Sequence, residues 1–171
     1  MVTVGPVLFI IGLLMSLLAI AMGLPAIADL ATGNPDWQVF AGSAAVSLFV
    51  GVSLMLATRS TSMTNLNLRQ AFLLTTMSWV AVAAVGALPF AFSELEISVA
   101  DAFFESMSGI TTTGSTIIVG LDNAPPGILL WRALLQWLGG VGIIVMAMAM
   151  LPILSVGGMQ LFKTEALDTP D

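Results

Sequence analysis

The side chains that do most protein chemistry are missing from this chain. It has no histidine and no cysteine, which removes imidazole bases, thiol nucleophiles, disulfides and the usual zinc and haem ligands together. Neither an activated serine nor paired aspartates fall within its apolar stretches, so an intramembrane hydrolase has no machinery here. The segment that stands out is Ile110-Thr111-Thr112-Thr113-Gly114-Ser115-Thr116. Its β-branched residues and glycine disfavour a helix and suit extended backbone. Successive carbonyl oxygens on such a stretch can replace the water around a dehydrated cation of potassium's size without a fixed negative charge. Thr112, Thr113 and Gly114 present such a stack, and the threonine hydroxyls, that of Thr111 included, add ligands. Gly114 accepts angles that a Cβ would obstruct. Taken alone, a TTTG run is more often a threonine-rich turn or a β-branched packing patch, so its surroundings must decide.

Those surroundings are membrane helices. With 58% hydrophobic and only 8% charged residues, the chain has too few charges to solvate a globular surface, and lipid is its solvent. No basic patch exists that could neutralise phosphates, so nucleic acid is set aside. A span needs about 20 apolar residues, and four windows qualify: from about Val4 to Ile27, Val39 to Ala57, Ala71 to Phe92 and Ile128 to Leu154. Ala26-Ile27-Ala28 has the spacing of a signal-peptide cleavage site, but Met1-Val2-Thr3-Val4 carries no basic charge and the apolar run is as long as a span, so cleavage is not expected. Arg59 and Arg69 flank the second connection and Lys163 follows the last span, whereas Asp29 to Trp37 and Ser93 to Pro126 hold no basic residue. Both termini are therefore expected in the cytoplasm, with Trp37 and Trp131 as interfacial anchors.

The outer segment Glu94 to Pro126 is too short and polar for two more crossings, and a re-entrant half-helix is expected instead. Asp101 to Ser108 reads as that half-helix, with Ser98 or Asp101 as N-cap and Phe103, Phe104 and Met107 toward packed neighbours. It stops at Gly109, and its carbonyl end favours a nearby cation. Asp122 or Asn123 is expected to cap the last helix, with Pro126 in its first turn. Extended backbone at membrane depth survives only when buried in protein or lining a water-filled cavity. The fold class expected is thus an all-α membrane protein of four transmembrane helices, with a re-entrant pore half-helix and selectivity-filter loop between the third and fourth.

Arg132, near the start of the last span, needs a partner or a route to the interface. Glu105 on the half-helix is the expected partner, pinning it behind the loop; snorkelling to the outer interface is the alternative. Glu94 and Asp101 are expected to line a cation-concentrating vestibule. Gly139, Gly140 and Gly142 suit close helix packing, and Gly157-Gly158 is expected to break the last helix ahead of Lys163, where an intracellular partner could touch the chain.

Three stretches in order, Asp101 to Thr116 (DAFFESMSGITTTGST), Leu130 to Val145 (LWRALLQWLGGVGIIV) and Leu151 to Ala166 (LPILSVGGMQLFKTEA), resemble the first pore repeat of the TrkH branch of the Trk/Ktr/HKT potassium transporters. The first two spans resemble the extra helical pair ahead of that repeat. The resemblance divides the chain into an N-terminal pair (1–67), a first pore repeat (68–158) and a cytoplasmic tail (159–171). It implies K+ as the transported ion with no cofactor, a pore of four helix–loop–helix repeats, and a filter with one glycine per repeat. It also implies homodimers in the bacterial inner membrane and a cytosolic TrkA-type nucleotide-binding regulatory subunit. Carried onto this sequence, the filter glycine falls on Gly114 and the coordinating carbonyls on Thr112 and Thr113; glycine there goes with potassium rather than sodium. One departure is length, since one repeat of four cannot enclose an ion and the repeat with the family's gating loop is absent. The chain then reads as the N-terminal portion of a longer transporter, ahead of a split subunit or a self-assembling tetramer. The alternative function is a non-conducting membrane assembly subunit or fragment.

Overall fold

The computed structural model describes residues 4–59 and 68–165, the side chains of Leu68, Met146, Ala147 and residues 149–165 excepted. Every regular element among them is helical: α1 (Gly5–Ala21), α2 (Gly23–Thr32), α3 (Trp37–Thr58), α4 (Leu68–Phe92), α5 (Val99–Ile110), a short 3-10 turn (Leu121–Asn123) and α6 (Pro126–Glu165). Among the described residues four helices are long and apolar enough to cross a membrane: Gly5–Thr32, Trp37–Thr58, Arg69–Phe92 and Pro126–Val145. These are the four windows expected from the sequence. α1 and α2 form one span with a break at Met22, because Pro25 has no N–H to donate to the Ala21 carbonyl. Hydrogen bonds from Met22 N to Leu18 O and from Ala26 N to Met22 O carry the helix across.

Lipid tails are as apolar as leucine, so close contact and hydrogen bonding, rather than escape from water, must hold these helices together. α1 crosses α3 where Gly12 meets Gly51: a Cβ on Gly12 would stand 2.6 Å from Gly51 O, and one on Gly51 2.5 Å from Ser16 Oγ. Ser16 and Ser47 donate back to the carbonyls of Gly12 and Ser43 at 2.8 and 2.6 Å, which keeps their hydroxyls satisfied inside the contact. The centre is filled by Met22, Phe40, Phe90, Trp131 and Leu135, all fully buried. Phe40 and Trp131 meet edge to face at 6.3 Å. α1 also packs on α4, and α2 on α6, so the N-terminal pair and the following repeat share one core.

Several expectations change. Trp131 is no interfacial anchor: it points inward and its Nε1 donates to Gly86 O at 2.9 Å, which satisfies the indole without water. The last helix continues through Gly157 and Gly158 to Glu165; a glycine costs about 1 kcal/mol in a helix, less than the unpaired peptide groups a break in apolar surroundings would leave. Residues 60–67, where the pair meets the repeat, and residues 166–171 of the expected tail lie outside the described residues, as does the side chain of Lys163.

Candidate functional site

α5 begins at Ser98, whose Oγ accepts from Asp101 N at 3.1 Å and donates to Asp101 Oδ2 at 2.7 Å. Ser98 is therefore the N-cap, and Asp101 answers it from the third helical position. α5 buries Ala102, Glu105, Ser106, Ser108, Gly109 and Ile110, while Phe104 is exposed. Phe104 therefore does not pack as expected, and the faces of α5 that do pack are held close to their neighbours. A Cβ on Gly86 of α4 would lie 2.5 Å from Ser106 Oγ, and one on Gly109 3.1 Å from Leu135 Cβ of α6. No large side chain fits between helices this close.

The helix runs one residue past Gly109, to Ile110, and its last carbonyls then organise the loop beyond it. Thr111 N donates to Met107 O at 2.9 Å and Thr112 N to Gly109 O at 3.0 Å. Thr113 N and Gly114 N converge on Ser108 O at 3.0 and 3.3 Å. To make this turn the chain is left-handed at Thr112 (φ 58°) and Gly114 (φ 77°), so the uniformly extended run expected from Ile110 to Thr116 is instead a tight reversal. For glycine this conformation is free, but for a β-branched threonine it costs about 1–2 kcal/mol, and four backbone bonds hold it there. In a planar trans peptide the C=O points opposite to the N–H of the next residue. With the amides of Thr112, Thr113 and Gly114 aimed back at α5, the carbonyls of Thr111, Thr112 and Thr113 point away from it. Among the described residues they accept no hydrogen bond, and Thr112, Thr113 and Gly114 are exposed.

Glu105 fastens the other limb of the loop. It is 1% exposed, and its Oε2 accepts from Thr116 Oγ1 at 3.0 Å and from Ile117 N at 3.1 Å. Its Oε1 accepts from Arg132 Nε of α6 in an ion pair. One carboxylate thus joins α5, the loop and α6. Ser108 Oγ adds a bond to Ser115 O at 2.6 Å, and the hydroxyls of Thr111 and Thr113 lie 2.9 Å apart. α6 touches the loop again at Gly139, where an added Cβ would strike the Ile110 carbonyl. A Cβ on Gly140 would come into ordinary contact range of Thr112 Cγ2 at 3.9 Å, and one on Gly142 would meet nothing within 4 Å.

The N-terminus of α6 is capped from a distance. Neither Asp122 nor Asn123 does it; both lie in the 3-10 turn. Gly127 N donates to Asp29 Oδ1 of α2 at 2.6 Å. Beside this junction an open cleft of about 450 Å³ is lined by Asn34, Glu94, Ile118, Val119 and Asn123 among others.

A family model described as TrkH, a cation transport protein, matches residues 36–169. The chain belongs to the TrkH family. It is 45% identical over 91% of its length to the Trk system potassium uptake protein TrkH of Escherichia coli K12, and 42% identical over 98% to TrkI of Halomonas elongata. The crystal structure of the potassium transporter TrkH from Vibrio parahaemolyticus matches 97% of this chain with a TM-score of 0.85 at 40% identity. This TrkH-family chain spans about a third of the length of each, 32%, 34% and 36% respectively.

The structure brings together the residues singled out in this TrkH-family sequence: Thr111 to Gly114 in one turn, and Glu105 with Arg132 behind it. Reading the sequence did not find the bonds from Glu105 to Thr116 and Ile117, the contact of Gly139 with Ile110, or the cap by Asp29. The first two had a signal in the spacing of Glu105 and Gly139 from the loop; the third, between residues far apart in the chain, had none.

Proposed function

We propose that the chain is the first quarter of a potassium uptake pathway, in which α4, a re-entrant α5 with its loop, and α6 form one helix–loop–helix repeat. In this reading α5 is the pore half-helix and the loop is one wall of a selectivity filter. Thr112 and Thr113 carbonyls coordinate dehydrated K+, Gly114 permits the turn, and Thr111 holds the turn through its hydroxyl. The observation that carries the reading is the outward set of carbonyls in an amide-anchored turn, in a chain whose relatives are named for potassium uptake. Glu105 and Arg132 support the loop from behind, where a rigid backing fixes oxygen positions. Selectivity needs several such walls around one axis, so the remaining three repeats act in cis or in trans. The reading extends to a homodimer in the bacterial inner membrane with both termini cytoplasmic, regulated by a cytosolic TrkA-type nucleotide-binding subunit, and using no cofactor.

The test is potassium-limited growth of an uptake-deficient bacterium expressing this chain joined to the other three repeats. Growth is expected with Gly114 and is expected to fail, or become sodium-permissive, with Gly114→Ser. Identical growth and sodium sensitivity of the two would remove the filter assignment. Rescue by residues 1–171 alone would instead mean that the chain assembles its own pore.

A further inference from the structure

The segment that carries α5 and its loop leaves α4 near Glu94 and rejoins a long helix at Gly127. Both ends are held by one short turn of the N-terminal pair. Asp29 Oδ1 accepts from Gly127 N at 2.6 Å, and Asp36 Oδ1 accepts from Glu94 N at 3.4 Å. The two carboxylates are 0% and 2% exposed.

The turn that carries them is rigid for reasons legible atom by atom. α2 ends with Gly33 in the left-handed region (φ 75°). Asn34 N donates to Asp29 O at 2.9 Å and Gly33 N to Leu30 O at 3.3 Å, the paired closure of a helix C-terminus. Asn34 Oδ1 then accepts from Asp36 N at 2.9 Å across Pro35. Asp36 occupies the N-cap position of α3, yet makes no cap bond to that helix. Its carboxylate turns to Glu94 instead, at the expense of α3's own free amides. The space at Gly127 is equally committed, since the nearest atoms a Cβ there would meet are those of the Asp29 carboxylate, whose carbon would be 2.5 Å away. A carboxylate on the first turn of α6 also faces that helix's positive end.

We infer that the α2–α3 turn is a clamp on the outer segment: Asp29 and Asp36 are positioning residues that set the axial place of α6 and the entry of α5, and through them the coordinating carbonyls. This rests on the filter reading. The route is continuous. α6 carries Gly127 at the clamp, Arg132 against Glu105, and Gly139 against the Ile110 carbonyl, all within about 18 Å of helix. A shift of α6 along its axis displaces both of these contacts with α5, which carries the loop.

The experiment uses the full transporter, this chain joined to the three remaining repeats, in uptake-deficient cells. Rubidium uptake and its inhibition by sodium are measured at matched amounts of protein in the membrane. Asp29→Ala is expected to raise the rubidium concentration for half-maximal uptake about tenfold, the scale of one lost charge-assisted hydrogen bond, and to increase sodium inhibition. Asp29→Asn keeps an acceptor for Gly127 and is expected to restore most of both values. Asp36→Ala is expected to move the same two values in the same direction, and it decides the matter where Asp29→Ala does not reach the membrane. A fall in maximal rate alone, with half-saturation and sodium inhibition unchanged in either alanine variant, overturns the clamp. Gly114→Ser, run alongside, separates the two readings. If it alters sodium inhibition while the aspartate variants do not, the clamp falls and the filter stands; if it alters nothing, the filter falls and the clamp with it.

Discussion

Gly139→Ala tests how rigidly the loop is backed. An alanine Cβ would stand 2.7 Å from Ile110 C and 3.1 Å from its Cα, and closer still to its oxygen. These are backbone atoms at the end of α5, so nothing can rotate aside as the tip of a long side chain would. Carbon atoms rest near 3.5 Å or beyond, so α5 and α6 must part by about 1 Å. Overpacking of this kind costs about 1–3 kcal/mol. Ile110 is the residue before Thr111, and the displacement enters the turn directly. If about 1 kcal/mol of it is felt at the proposed coordinating oxygens, the potassium concentration for half-maximal uptake rises about fivefold, since 1.4 kcal/mol is a factor of ten. The control is Gly42→Ala on α3, where a Cβ meets nothing within 4 Å and the same gain in helix propensity applies. Uptake is measured as a function of potassium in cells carrying equal transporter. Indistinguishable half-saturation in the two variants would refute the idea that the Gly139 contact sets the loop's position.

Glu105→Ala leaves Arg132 Nε, Thr116 Oγ1 and Ile117 N without their acceptor; it is expected to lower stability by about 3 kcal/mol, with a smaller loss in Glu105→Gln, as thermal unfolding in detergent will show. Opposite signs are expected for two neighbouring glycine substitutions: Thr112→Gly relieves a left-handed threonine and should melt no lower than the parent, whereas Thr113→Gly should melt lower by roughly 0.5–1 kcal/mol of added chain entropy. Burial pushes the Asp36 carboxyl above its usual range against the opposing effect of the Glu94 N–H, with the nearby charges of Glu94 and Asp29 adding smaller upward pushes. A raised acid binds more protons folded than unfolded, so its contribution is fully present below the unfolded value and is lost as pH rises through the folded one. Melting temperature measured from acid to neutral pH should therefore fall more steeply in the parent than in Asp36→Asn; parallel curves would mean that Asp36 carries no such shift.

The spans were legible because lipid makes a coarse demand: about 20 apolar residues, wherever they are. The location of α5 and the pairing of Glu105 with Arg132 were legible for a related reason, as a largely buried cation needs a carboxylate and Glu105 is the one on the half-helix away from its N-cap. The features that stayed hidden depended on the approach of backbones. The sequence suggests extended backbone at Thr112, because β-branched residues favour it, but four hydrogen bonds to the end of α5 override that preference and hold it left-handed. Phe104 looked like a packing residue and Trp131 like an anchor; the first lies on the side of α5 away from Ser106 and Gly109, and the carbonyl of Gly86 draws in the second. Asp122 and Asn123 had the right type and place to cap α6, and only the fold could reveal that Asp29 already occupied the site.

The end of α5 also has a different task from the one its dipole suggests. A half-helix pointing its carbonyl terminus at an ion would be expected to offer its last free oxygens or their summed partial charge. Here the carbonyls of Met107, Ser108 and Gly109 are already engaged by the amides of Thr111 to Gly114. In the proposed filter they would act on the ion indirectly, by turning each of those amides inward and so each preceding carbonyl outward. This explains why three consecutive threonines can sit where a flexible loop would be expected. Their oxygens are aimed by the helix, their amides are spent on it, and Gly114 supplies the second left-handed step that lets the chain leave toward Glu105 and its bonds to Thr116 and Ile117. A substitution that frees any one of those amides should therefore disturb the carbonyl on its other side, even though neither group touches the other.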